Sequence, residues 1–273
     1  MRRTSHLFAV ACVALLVLAT GTSCAAERGS PHARRAATWH GATAFDRWAG
    51  WAKREIVQGG ASAVRADGVD ATAYTVRPGD VPGKNGERSE VVASVRDTGA
   101  LPGRAVHYRW GTFFPADFRP VPDSTWTIFT QLHESAADGC HPNLALQVDT
   151  QHGDEQLRLT ARGGQLDART CEPASTNTWD FAALQREHWY RFDLFVGWSA
   201  SARDGFVELT VDGRTVVPRT PQATLYRGQS AYFKQGLYRQ ASDFAATVLH
   251  TGVTRSAPEP IVDPGAQRAR TAR

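Results

Sequence analysis

Phe206-Val207-Glu208-Leu209-Thr210-Val211-Asp212-Gly213-Arg214-Thr215-Val216-Val217 sets two strand-like runs, Phe206–Val211 and Thr215–Val217, on either side of an Asp-Gly pair. Such a pair between apolar, β-branched runs favours a two-residue hairpin. Both turn residues must take φ > 0, and Gly does so without steric cost. Outward from this hairpin, similar runs recur with turn signals between them: Ala71–Arg77, Arg88–Val95, Ala105–Phe114, Trp126–His133, Leu144–Asp149, Gln156–Arg162, Trp189–Trp198, Ala231–Arg239 and Thr247–Thr254. Long amphipathic helices are scarce. One short helix is expected over 45–56, with Trp48 and Trp51 on one side, and another over 180–187. About eleven strands, few short helices and no βαβ alternation predict an all-β jelly-roll β-sandwich.

The chain has 273 residues, enough for one large β domain or at most two small ones. Eight Trp, twelve Phe and six Tyr favour strands and suit sugar-facing surfaces. Arg2 and Arg3 precede the apolar run Leu7–Ala19 and the small residues Ser23-Cys24-Ala25, which read as a secretory signal peptide over 1–25. Cys24 offers an alternative, a lipid anchor. Removing the signal lowers the formal charge of +4 by two. That weak excess, without a basic stripe, gives no support for nucleic acid as a partner. No later apolar run reaches the ~18 residues of a membrane span. Residues 26–39 are expected to be a disordered linker, 40–255 one β domain and 256–273 a disordered tail. A monomer outside the cytoplasm is the expected state. There Cys140 and Cys171 form an even pair in an oxidising place, so a disulfide is predicted, closing a loop worth roughly 3–4 kcal/mol. A metal site at Cys140 and His141 lacks a second tight pair of ligands.

In a strand, residues i and i+2 face the same way, and three segments use that spacing. Arg88-Ser89-Glu90 puts Arg88 and Glu90 on one face. Gln131-Leu132-His133 puts Gln131 and His133 on one face, with Ile128, Thr130 and Leu132 turned to the other. Tyr232-Phe233-Lys234-Gln235-Gly236-Leu237-Tyr238-Arg239-Gln240 aligns Tyr232, Lys234, Gly236, Tyr238 and Gln240. Gly236 is read as a gap through which a ligand could approach. Taken singly, each segment also reads as a solvated strand face.

In order and together, these blocks resemble the jelly-roll alginate lyases, which carry Arg-Ser/Thr-Glu-Leu, Gln-Ile/Val-His and Tyr-Phe-Lys-Ala-Gly-x-Tyr on neighbouring strands. Glucuronan lyases and the heparin lyase I-like family share the plan. Here Val91 replaces Leu and Gln235 replaces Ala, and Arg239 after the final Tyr is closer to the heparin lyase I-like pattern. The resemblance implies a concave substrate groove and β-elimination on an acidic, uronate-containing polysaccharide. Gln131 and Arg88 would contact the uronate carboxylate. His133 would act as base or would share in neutralising the carboxylate; Tyr238 would protonate the departing oxygen and, in one stereochemistry, also take the C5 proton. Lys234 would bind acidic groups on the sugar, Tyr232, Asn143 and Gln240 would line the groove, and Glu90 would orient Arg88. A phenol beside a cation should titrate low, so Tyr238 is expected below its ordinary range. This chemistry requires no cofactor and no metal. A structural calcium leaves no signature in the sequence.

Two other classes fit parts of the pattern. A sandwich hydrolase needs two carboxylates across the scissile bond. Glu208 and Asp212 share a strand face, but Asp212 is the hairpin residue. A non-catalytic sugar-binding module would need the groove and aromatics but not His133 with Tyr238. The remaining histidines (His40, His107, His141, His152, His188 and His250) have no metal-type spacing and are expected to be satisfied surface or core residues.

Overall fold

The computed structural model describes residues 43–44, 51–83, 85–124, 126–136 and 139–261. The expected signal peptide and linker lie outside the described residues, as do positions 45–50 of the first expected helix and 262–273 of the expected tail. In chain order the strands are β1 (Thr43–Ala44), β2 (Lys53–Glu55), β3 (Ala61–Ala66), β4 (Val69–Val76), β5 (Glu87–Val92), β6 (Arg104–Phe113), β7 (Thr127–Glu134), β8 (Leu144–Asp149) and β9 (Gln156–Asp167). They continue with β10 (Glu172–Ala183), β11 (Trp189–Trp198), β12 (Phe206–Val211), β13 (Arg214–Pro221), β14 (Ala231–Arg239), β15 (Ala246–His250), β16 (Thr254–Arg255) and β17 (Glu259–Pro260). One helical turn, α1 (Val95–Thr98), follows β5. Ser94 caps it, its Oγ accepting from Asp97 N, and Gly99 at φ 73° ends it.

The strands form two antiparallel sheets. The first runs β13-β12-β11-β6-β15-β4-β3, with β16 and β17 pairing along β6. The second runs β10-β9-β8-β7-β14-β5-β2. Apolar residues at every second position face inward and join in one core, among them Leu144, Leu146, Val148, Leu157, Leu159 and Phe233. This two-layer β-sandwich is the architecture that the alternating runs predict. Phe233 sits at its centre, 5.8 Å from both Tyr108 and Trp110, ring centroid to centroid. Burying such a side chain contributes about 1.5–3 kcal/mol.

The Asp212-Gly213 hairpin forms as expected, joining β12 to β13. Both residues have positive φ, 52° and 80°, as a type I′ turn requires. Asp212 also accepts from Arg191 N and lies 2.9 Å from His188 Nε2.

Several expectations need correction. Residues 53–55 are edge strand β2 rather than helix, and 180–183 complete β10. That strand was hidden because its residues are mostly polar and exposed, as an edge permits. Glu259 and Pro260, expected in the tail, pair with Ala105 and Arg104. The side chain of Ile128 does not share a face with Leu132. A bulge between Ile128 and Thr130 turns both Phe129 and Leu132 into the core and leaves Ile128 opposite Tyr238. Gly236 leaves no ligand gap. A Cβ built on it would stand 2.0 Å from the carbonyl oxygen of Ser89 in β5, so Gly236 lets two backbones meet.

Cys140 and Cys171 are bonded, with Cα atoms 5.1 Å apart. The bond ties the β7–β8 loop to the start of β10.

Candidate active site

Strands β5, β14 and β7 are neighbours, in that order, so the three motifs lie side by side. Lys234 pairs with Gln131 on one side and with Val92 on the other. Tyr232 pairs with His133, and Tyr238 with Arg88. Cross-strand partners share a face, and here it is the face away from the core.

The centre of this face is a buried charge network. Gln131 Nε2 donates to Glu90 Oε1 at 2.6 Å, and Lys234 Nζ lies 2.7 Å from Glu90 Oε2. Glu55, from edge strand β2, receives Lys234 at 2.7 Å and Arg88 at 2.9 Å on a single oxygen. Arg88 is 3.7 Å from Glu90 and donates to the Asn85 carbonyl at 2.7 Å. Glu55 therefore grips Arg88 more closely than Glu90, the residue expected to orient it. Two cations and two carboxylates, all nearly closed to solvent, can persist only as mutually paired groups. Burial pushes the Glu55 carboxyl up, but Lys234, Lys53 and Arg88 outweigh that and bring it down to about 2.

Around this network stand the other expected residues. The Arg88 guanidinium lies 3.9 Å from the Tyr238 ring centroid, and Trp126 meets the same ring edge-on at 5.1 Å. Tyr238 does not titrate low as expected. Burial raises its phenol, and the Arg88 charge only partly offsets that. The rings of His133 and Tyr232 stack with centroids 5.6 Å apart, and His133 remains partly open while Gln131 is sealed. The Tyr232 phenol is raised by burial and by Glu134, Glu55 and Glu90. Asn143 is buried, just before β8. Its Oδ1 and Gln131 Oε1 have no hydrogen-bond partner among the described residues. Gln240 lies beyond the end of β14, exposed, its backbone N–H donating to the Trp126 carbonyl.

The structure thus brings Arg88, Glu90, Gln131, His133, Tyr232, Lys234 and Tyr238 onto one sheet face. Glu55 was missed. Its strand is three residues long and reaches β14 through space rather than through any local pattern. The rival carboxylates Glu208 and Asp212 lie in the other sheet, where Glu208 is engaged by Arg219 at 3.1 Å. Among the described residues no group of three His, Cys, Asp or Glu side chains is placed to hold a metal ion.

The chain matches the family model Polysaccharide lyase over residues 43–257. It belongs to that family. The lyase is therefore an enzyme that acts on a polysaccharide. Its fold is similar to that of an endo-β-1,4-glucuronan lyase from the fungus Trichoderma reesei. The TM-score is 0.62 at 19% identity, covering 77% of this chain and 92% of that one. It is also similar to alginate lyase AlyC3 in complex with dimannuronate. There the TM-score is 0.50 at 13% identity, covering 71% of this chain and 76% of that one. No curated protein matches the chain. Among the described residues no helix is long and apolar enough to cross a membrane.

Proposed function

We propose that this lyase is exported and cleaves a uronate-containing polysaccharide by β-elimination, leaving an unsaturated uronate at the new end. The observation that carries the reading is the line Gln131–Glu90–Lys234–Arg88–Tyr238 on one sheet face, with His133 next along β7. Membership of the polysaccharide lyase family supports it, as does likeness in fold to lyases of glucuronan and alginate. The apolar run behind Arg2 and Arg3 and the Cys140–Cys171 bond support export.

A uronate C5–H is a weak acid while its carboxylate is fully charged. The second N–H of Gln131 Nε2, Arg88 and Lys234 would offset that charge as it spreads in the transition state. Donors already fixed by Glu90 and Glu55 do this without reorganising. His133 would take the C5 proton, C4 and C5 would become doubly bonded, and the C4–O4 bond would break. Tyr238 would give its proton to O4. A phenol raised by burial stays protonated near neutral pH and suits that role. Tyr232 and Asn143 would bind neighbouring sugar groups.

The test is incubation of the purified protein with polyglucuronate, alginate, heparin and hyaluronan, following the ultraviolet absorbance of the unsaturated product. The absorbance rises with at least one polymer, and Tyr238→Phe and His133→Ala each abolish the rise without lowering the melting temperature. Reducing ends without absorbance would mean hydrolysis. Binding without either would mean a sugar-binding module. Near-normal turnover by either variant would remove its residue from the mechanism.

A further inference from the structure

His133 Nδ1 lies 2.5 Å from a carboxylate oxygen of Glu134, an ion-pair contact without hydrogen-bond alignment, while the backbone carbonyl of Glu134 is the hydrogen-bond partner of the same nitrogen at 3.5 Å. Glu134 is fully buried at the last position of β7. Neighbours in a strand normally point to opposite faces, so alternation alone does not produce this contact. A buried acid survives where a partner offsets its charge. The other groups around His133 do not compete for Nδ1 in this way. From β14, Tyr232 presents its ring face. From the β7–β8 loop comes His141, whose pKa is lowered by burial, by Arg162 of β9 and by His133 itself, against a raising effect of Glu172. Glu55, Glu90 and Arg88 act on the phenol of the neighbouring Tyr232.

We propose that Glu134 is a positioning residue that keeps the His133 proton on Nδ1 and leaves Nε2 as the basic nitrogen. A carboxylate at Nδ1 selects that tautomer, fixes the ring plane and makes Nε2 a stronger base. The inference rests on the reading of His133 as the base that removes the C5 proton. It adds a residue on which the three-motif pattern is silent.

The experiment compares Glu134→Gln, Glu134→Ala and His133→Ala with the parent, using ring-nitrogen NMR of His133 and the pH profile of kcat and KM. In the parent, the neutral His133 ring carries its proton on Nδ1. In Glu134→Gln the ring loses the negative charge beside Nδ1, so the proton is no longer held there and the tautomer signal moves toward Nε2. In that variant kcat falls about tenfold to a hundredfold, the usual cost of losing a group that orients another and less than the 10²–10⁴ that the base itself contributes, while KM stays unchanged. Glu134→Ala also loses the preferred tautomer. If His133→Ala is inactive but both Glu134 variants keep the parental kcat and tautomer, the proposal is overturned while the base assignment stands. If His133→Ala is active, the base assignment fails, and the NMR shift alone decides whether Glu134 holds the ring. Should Glu134→Gln and Glu134→Ala not fold, Glu134→Asp replaces them. Its shorter, charged side chain withdraws from Nδ1, so an unchanged His133 tautomer signal there overturns the proposal.

Discussion

Glu90→Gln tests whether the buried network holds the site together. Glu90 is 1% exposed and meets Lys234 Nζ at 2.7 Å and Gln131 Nε2 at 2.6 Å. The substitution keeps the volume but removes the charge, leaving Arg88 and Lys234 to share Glu55. Breaking a buried ion pair by altering one partner costs about 3–5 kcal/mol. For a domain of this size each kcal/mol lowers the melting temperature by roughly 2–4 °C, so a fall of about 6–20 °C is expected. Lys234 and Gln131 also lose their shared anchor, and turnover should drop about a hundredfold as the donors drift from the carboxylate. Glu55→Gln is the control. Its side chain is 13% exposed on an edge strand against 1% for Glu90, so its charge is less costly to remove and the melting temperature should fall by less. The assays are a calorimetric melt and initial rates from product absorbance. If Glu90→Gln melts within 2 °C of the parent, the network contributes little, and the account of the buried charges as what holds the site together is wrong.

Replacing both Cys140 and Cys171 with Ser should lower stability by about 3–4 kcal/mol in urea unfolding, as expected for the 31-residue separation they close; an unchanged midpoint would refute it. Gly236→Ala should destabilise the fold by roughly 3–5 kcal/mol, because overpacking against Ser89 adds to strain at φ 147°; soluble, parent-like protein would count against the close approach of β14 and β5. Acid should act in two stages. Burial holds His250 down at about 4 from 6.5, so stability falls as pH drops from 6.5 towards 4, where the unfolded chain takes a proton that the folded ring refuses. Glu55, lowered from 4.5 to about 2, contributes stability that is present above 4.5 and lost as pH falls through 2. A flat stability profile between pH 7 and 4 would remove the first stage.

The sandwich was readable because most of its strands bury one face, and burial writes a period of two into the sequence. Leu144, Leu146 and Val148 show this plainly. The site was readable in three blocks because those strands carry polar pairs at the same period. Strand β10 was not, since Thr176 and Thr178 face outward with little apolar contrast to mark the turn of each residue. Glu55 joins Lys234 across 179 positions, a contact that only the completed sheet makes. The face of Ile128 was misread because a bulge breaks the parity argument without leaving a mark in residue type. The Tyr238 phenol was assigned the wrong direction because the cation beside it is visible in the motif, whereas the burial that outweighs it is not.

The bulges have a consequence for how this chain can vary. Between Gln235 and Tyr238, β14 carries one residue more than the stretch of β7 it faces, and between Ile128 and Thr130, β7 carries one more than β8. Each is an odd step in a ladder that otherwise counts in pairs. Loss of a single codon at 129 would rotate every upstream side chain of β7 by half a turn, sending Ile128 inward and Thr127 out. Length changes within these two strands should therefore be tolerated only in compensating pairs, while the loops around them remain free to lengthen.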